Sequence, residues 1–99
     1  MNNVPVEEGD FVAAMYEGTW YVGKVLEVDE ADEDTKITFM TTVHSKQRPQ
    51  FKWPHPPDEV WIAFEDILTR VEPPTAAGKS GRFFQMSTET LSLIERLSK

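Results

Sequence analysis

The 99-residue chain contains no cysteine. That excludes disulfides, thiolate metal sites and cysteine catalysis, and it fits an intracellular location. No apolar run approaches the roughly 18 residues a membrane span needs, and no signal-peptide core is present. No Asn-x-Ser/Thr acceptor occurs. The two histidines, His44 and His55, stand singly in loop-like stretches without metal-ligand spacing. The serines gather near a Pro/Gly-rich stretch and in the last helix, with no nucleophile elbow. No set of residues supplies nucleophile, base and orienter together, so the sequence reads as non-enzymatic, with no cofactor.

Positive charge is scarce at one end. Residues 1–34 hold ten acids and only Lys24 as a base, while residues 35–99 hold seven acids against nine bases. The net charge is −7. The acidic end would repel a phosphate backbone and attract a basic peptide, or it serves solubility alone. Lys46, Arg48, Lys52, Arg70 and Arg82 form a basic strip, but the overall charge disfavours nucleic acid as a partner.

Against these absences stand short strand-like stretches. "DFVAAMY" (10–16) alternates Val12, Ala14 and Tyr16 with Phe11, Ala13 and Met15. After the turn signal "EGT", "WYVGKVLEV" (20–28) puts Tyr21, Gly23 and Val25 opposite Trp20, Val22, Lys24 and Leu26. Gly23 inside a strand implies close backbone approach or a sharp bend. "DEADED" (29–34) lacks the spacing of a calcium loop and reads as a solvated hairpin loop. "TKITFMTT" (35–42) is a third strand with Ile37 and Phe39 on one face.

The prolines of "FKWPHPP" (51–57) limit any strand there to a short or edge one. "DEVWIAFEDILTRV" predicts a strand over 59–63, a helical turn over 65–68 and a last strand near 69–72. Residues 73–81 read as a linker; their "GKS" is not a P-loop, because Pro73 stands where a glycine is required. "RFFQM" is a short strand. "STETLSLIERLSK" is a helix capped by Ser87 or Thr88, with Leu91, Ile94 and Leu97 as its apolar stripe and Leu93 at the margin. That stripe covers the β core or binds a partner.

The order of these parts resembles the Tudor domain, in the Tudor, chromo-barrel and SH3-like group. "EEGDFVAAMYEGTWYVGKVLEV" looks like the family's opening, "KITFMTT" like its third strand and "VWIAFEDILTRV" like its closing segment. The resemblance spans residues 7–72. It implies a mainly β fold: a small five-stranded SH3-like barrel over 10–72, after a lead-in at 1–9. The linker and a short strand with a C-terminal helix packed on the barrel (82–99) follow. Two departures stand out: the loop 43–57 is long and proline-rich, and no glycine-rich turn follows the third strand. "FKWP…WI…DIL" is also similar to a domain at the ends of transposon-derived animal proteins, which carries no assigned activity.

Tudor-type readers hold methylated lysine or arginine in an aromatic cage. Methylation keeps the charge and removes hydrogen-bond donors, so aromatic faces hold the cation by cation–π attraction, at about 0.5–2 kcal/mol per contact. A carboxylate selects lower methylation states, which still donate an N–H. Carried over by position, Tyr16, Tyr21 and Phe39 match three cage walls; the fourth falls near Thr42, which is not aromatic, leaving Trp53 or Trp61 as substitutes. Glu17, Asp58 and Glu59 are the candidate acids. The resemblance implies a basic or methylated peptide partner, a histone tail included, and a nuclear location. The same aromatics also suit a plain core, which leaves a second reading open: a structural or protein-interaction domain without a working cage, in a larger, transposon-derived protein.

Overall fold

The computed structural model describes residues 6–43, 49–79 and 81–99. The chain is mainly β, with two antiparallel sheets and one C-terminal helix. No helix among the described residues is long and apolar enough to cross a membrane.

The first sheet contains β1 (Phe11–Tyr16), β2 (Thr19–Asp29), β3 (Asp34–Phe39), β6 (Asp58–Ala63) and β7 (Ile67–Val71), in the order β6-β3-β2-β1-β7. A single 3-10 turn, Phe64–Asp66, joins β6 to β7. Glu17 (φ 54°) and Gly18 (φ 83°) turn β1 into β2, with Tyr16 opposite Thr19. Two successive left-handed residues give a turn whose twist matches that of the flanking strands. The acidic hairpin closes where Asp29 pairs with Asp34, and Asp29 Oδ1 accepts from the Asp32 backbone N–H at 3.1 Å.

Gly23 is needed where β2 pairs with the end of β3. A Cβ there would lie 2.6 Å from Ile37 Cγ2, 2.6 Å from the Thr38 carbonyl oxygen and 2.9 Å from Phe39 Cδ1. The end of the lead-in is pinned as well: the Gly9 N–H donates to Val25 O at 2.9 Å and the Val25 N–H to Asp10 O at 2.8 Å.

The second sheet, of which the sequence reading anticipates the short strand within 82–86 but not the pairing, is built of three-residue strands. These are β4 (Thr41–Val43), β5 (Gln50–Lys52), β8 (Thr75–Ala77) and β9 (Phe83–Gln85), in the order β4-β5-β9-β8. Phe51 opposite Phe84 joins its two hairpins. The stretch 73–81, read as a linker, therefore contributes β8. Helix α1 (Thr88–Leu97) follows, its first turn capped by Ser87 Oγ, which accepts from the Thr90 N–H at 3.1 Å.

Two cores lie on opposite faces of the five-stranded sheet. On one, Val12, Ala14, Val25, Ile37, Phe39, Ile62 and Ile67 pack together. On the other, Ala13, Val22, Met40, Phe51, Met86 and Ile94 do so, with Trp20, Leu68, Val71 and Leu91 against them. Strand alternation accounts for the division: β1 sends Val12 and Ala14 one way and Ala13 the other. Ile94 of the helix stripe is fully buried and Leu91 packs beside it, whereas Leu97 is exposed.

Candidate functional site

Tyr16, Tyr21 and Phe39 meet at the end of the first core. Tyr16 is the last residue of β1, Tyr21 follows two residues into β2, and Phe39 closes β3. Ring centroids are 6.5 Å apart for Tyr16–Tyr21, 6.2 Å for Tyr16–Phe39 and 5.7 Å for Tyr21–Phe39. Tyr16 and Phe39 are nearly parallel, at 26°. Two ring planes holding a methylammonium between them stand about 7–8 Å apart, twice a carbon–carbon contact of about 3.5–4 Å. These rings instead touch one another. Phe39 is 1% exposed and backs the two half-buried tyrosines, so a bound group would lie against the tyrosines rather than between Tyr16 and Phe39.

Register sorts the three candidate acids. Asp58 is the cross-strand partner of Phe39. Directly opposed residues in an antiparallel pair project from the same face, so Asp58 stands beside the aromatic cluster. Glu59 faces the other way and forms an ion pair with Lys36 at 3.5 Å; Lys36 also lies 3.8 Å from Glu27. Glu17 is exposed in the β1–β2 turn, next to Tyr16 in the chain.

The two substitute tryptophans lie elsewhere. Trp53 packs on Phe11, with centroids 6.4 Å apart, and Phe11 also carries Lys24 Nζ at 5.9 Å from its ring centre. Trp61 alternates with Val60 and Ile62 of the first core and so stands on the opposite face, 46% exposed, across the ladder from Lys36. Thr42, at the family's fourth wall position, is in β4 and half-buried.

Sequence reasoning does not find the groove next to this cluster. It is an open depression of about 630 Å³ lined by Thr19, Trp20, Tyr21, Met40, Thr41, Thr42, Pro49, Asp58 and Glu95. Tyr21 and Asp58 link it to the three rings. Trp20 points to the second core, its ring 6.3 Å from Phe51, and its indole Nε1–H donates to Glu95 Oε2 of α1 at 3.1 Å. The adjacent pair Trp20–Tyr21 thus faces two cores, as strand alternation requires. Glu95 is 75 residues away in sequence, and only the packing of α1 brings it here.

A second depression, about 440 Å³, is lined by Asp10, Phe11, Arg70, Val71, Glu72, Thr90 and Leu93. Its polar groups are already engaged. Arg70 lies 3.6 Å from Asp10, and the Thr90 hydroxyl lies 2.8 and 2.9 Å from the two Glu72 carboxylate oxygens, to which it donates. That hydroxyl, chiefly, holds the Glu72 carboxyl below its ordinary value, helped by the Glu72 backbone N–H and by Ser87. In the acidic hairpin, burial raises the Asp34 carboxyl, and the neighbouring Asp29 and Asp32 charges raise it further.

No group of residues that could hold a metal occurs among the described residues. His55 is exposed in the proline-rich loop. Within the basic strip, Lys52 is exposed and Arg70 is paired with Asp10, while His44, Lys46 and Arg48 lie outside the described residues. Comparison with protein-family models, curated proteins and solved structures finds no match to this chain.

Proposed function

We propose that this chain is a non-catalytic binding module on a Tudor-like, SH3-like barrel, reading a methylated lysine or arginine, or a basic side chain, at the Tyr16–Tyr21–Phe39 cluster. The observation that carries this reading is the convergence of three rings, drawn from the ends of three strands, with Asp58 on the same face. The strand order β6-β3-β2-β1-β7, with a helical turn before the last strand, supports the Tudor-like assignment. In this reading Tyr16 and Tyr21 present their exposed surfaces to the cation, Phe39 holds them in place and Asp58 accepts an N–H from a lower methylation state. Glu17 and the acidic N-terminal half favour the approach of a basic peptide, histone tails among them, which agrees with a nuclear setting.

The mutual ring contacts favour a second reading, in which the cluster is the plug of a protein-interaction domain without a working cage, within a larger protein. Titration with mono-, di- and trimethyl-lysine and methyl-arginine peptides separates the two. The reader shifts the Tyr16, Tyr21 and Phe39 side-chain resonances together, saturably. Resonances that stay fixed at millimolar peptide leave the scaffold reading standing and end the first.

A further inference from the structure

The groove beside the cluster carries a different kind of chemistry. Trp20 and Tyr21 border it, their rings turned to opposite faces of the sheet, with Met40 and Pro49 adding apolar surface. Its two charged groups, Asp58 and Glu95, are both acidic, and no cationic side chain lines it among the described residues. They come from different elements, β6 and α1. Trp20 holds Glu95 through one carboxylate oxygen, Oε2, which leaves Oε1 able to accept from a ligand. At about 630 Å³ the groove is within the size range of sites that take a small ligand.

We infer that this groove is a second binding subsite, which takes the unmodified arginine side chain of a peptide, with its guanidinium against the Trp20 ring and its N–H groups shared by Asp58 and Glu95. The two carboxylates of the described lining select a cation. The choice of guanidinium over ammonium follows from shape. A planar group with five donors in a fixed fork stacks on an aromatic wall while reaching two acceptors, whereas an ammonium is a compact, strongly hydrated point charge. Both carboxylates are exposed, so solvent screens them and a single residue binds weakly; affinity comes from a longer peptide. The subsite uses no methyl group and does not need the three rings to act as a cage. Helix α1 in this account supplies a ligand-contacting residue in addition to covering the second core.

The test is a nitrogen-15 NMR titration of the whole chain with N-acetyl-arginine methylamide, followed at the tryptophan indole N–H signals. The Trp20 signal is expected to move saturably while those of Trp53 and Trp61 stay fixed, and added salt weakens the effect. The neutral isostere N-acetyl-citrulline methylamide is expected to leave Trp20 unmoved. The double variant Asp58→Asn/Glu95→Gln should bind about tenfold more weakly, a difference of about 1.4 kcal/mol. Glutamine keeps an acceptor for the Trp20 indole, and unchanged Trp53 and Trp61 indole signals in the free variant certify its fold. Tyr16→Leu should lose methyl-peptide binding and keep the arginine response, so failure of one reading is visible apart from the other. Equal shifts with the citrulline compound or with N-acetyl-lysine methylamide, or undiminished binding by the double variant, overturn the assignment. So does movement of Trp20 with protein concentration alone, which would identify a second copy of the chain as the occupant.

Discussion

The two faces of the five-stranded sheet are built from the same strands but are completed differently. On the first face the sheet supplies almost everything: Val12, Ala14, Val25, Ile37, Phe39, Ile62 and Ile67 all come from its own strands. On the second, the sheet's small contribution (Ala13 and Val22) is completed by Met40, Phe51, Met86 and Ile94, which lie outside those strands. The first face ends in half-exposed tyrosines beside an acid; the second is roofed by the small sheet and by α1. A face that completes its own core can leave its end open to a ligand. A face that depends on distant segments brings remote residues together, and so Glu95 reaches the groove next to Tyr21.

The largest effect that would break this comparison is removal of Phe51. It is fully buried, packs on Trp20 and pairs with Phe84, so it ties the roof to the sheet. Phe51→Ala should cost about 3–5 kcal/mol in denaturant unfolding. Spectroscopic loss should start with the Trp20 environment, while the signals of the three-ring cluster persist longer. Gly23→Ala comes next, acting on the first face. Its new methyl would stand 2.6 Å from a backbone oxygen that cannot rotate away, so we expect about 2–3 kcal/mol of destabilisation and a shift of the Phe39 ring signals.

A smaller change has the opposite sign. Thr35 is fully buried and its Oγ1 has no hydrogen-bond partner. Thr35→Val keeps the shape and removes an unsatisfied hydroxyl, so unfolding should become harder by about 1 kcal/mol. The smallest effect concerns the contact between Glu72, just after β7, and Thr90 of α1. The Glu72 carboxyl is held below its ordinary value in the folded state. Its contribution is therefore fully present above the ordinary glutamate value and lost as pH falls through the lowered folded one. Glu72→Gln should remove that part of the acid-side decline in stability. Asp34 has the opposite sign: its raised folded value means that protonation on the acid side relieves unfavourable charge in the hairpin.

Local pattern carried the first face. The alternation in 10–16 and 20–28 separates Val12 and Ala14 from Ala13, and Tyr21 from Trp20, as the two cores do. Gly23 signalled the close approach of β2 and β3, and Ser87 the start of α1. The second face was opaque for a physical reason. Three-residue strands such as Thr75–Ala77 are too short to show a period, and their pairing is non-local: Phe51 finds Phe84 across 33 positions, a separation that composition does not reveal. Leu97 fits the helical stripe and yet is exposed. At the candidate site, position in the strands brought Tyr16, Tyr21 and Phe39 together, but the choice of Asp58 over Glu59 needed the β3–β6 register. Nothing local announced Glu95.

In the function proposed above, the open end of the first face recognises a cation through Tyr16 and Tyr21. The most direct measurement compares a trimethyl-lysine peptide with the same peptide carrying an uncharged tert-butyl isostere in place of the trimethylammonium group, by calorimetric titration. Two tyrosine contacts at about 0.5–1 kcal/mol each should make the charged peptide bind about 5- to 30-fold more tightly. Equal affinity of the two peptides, or no heat from either, would contradict the account.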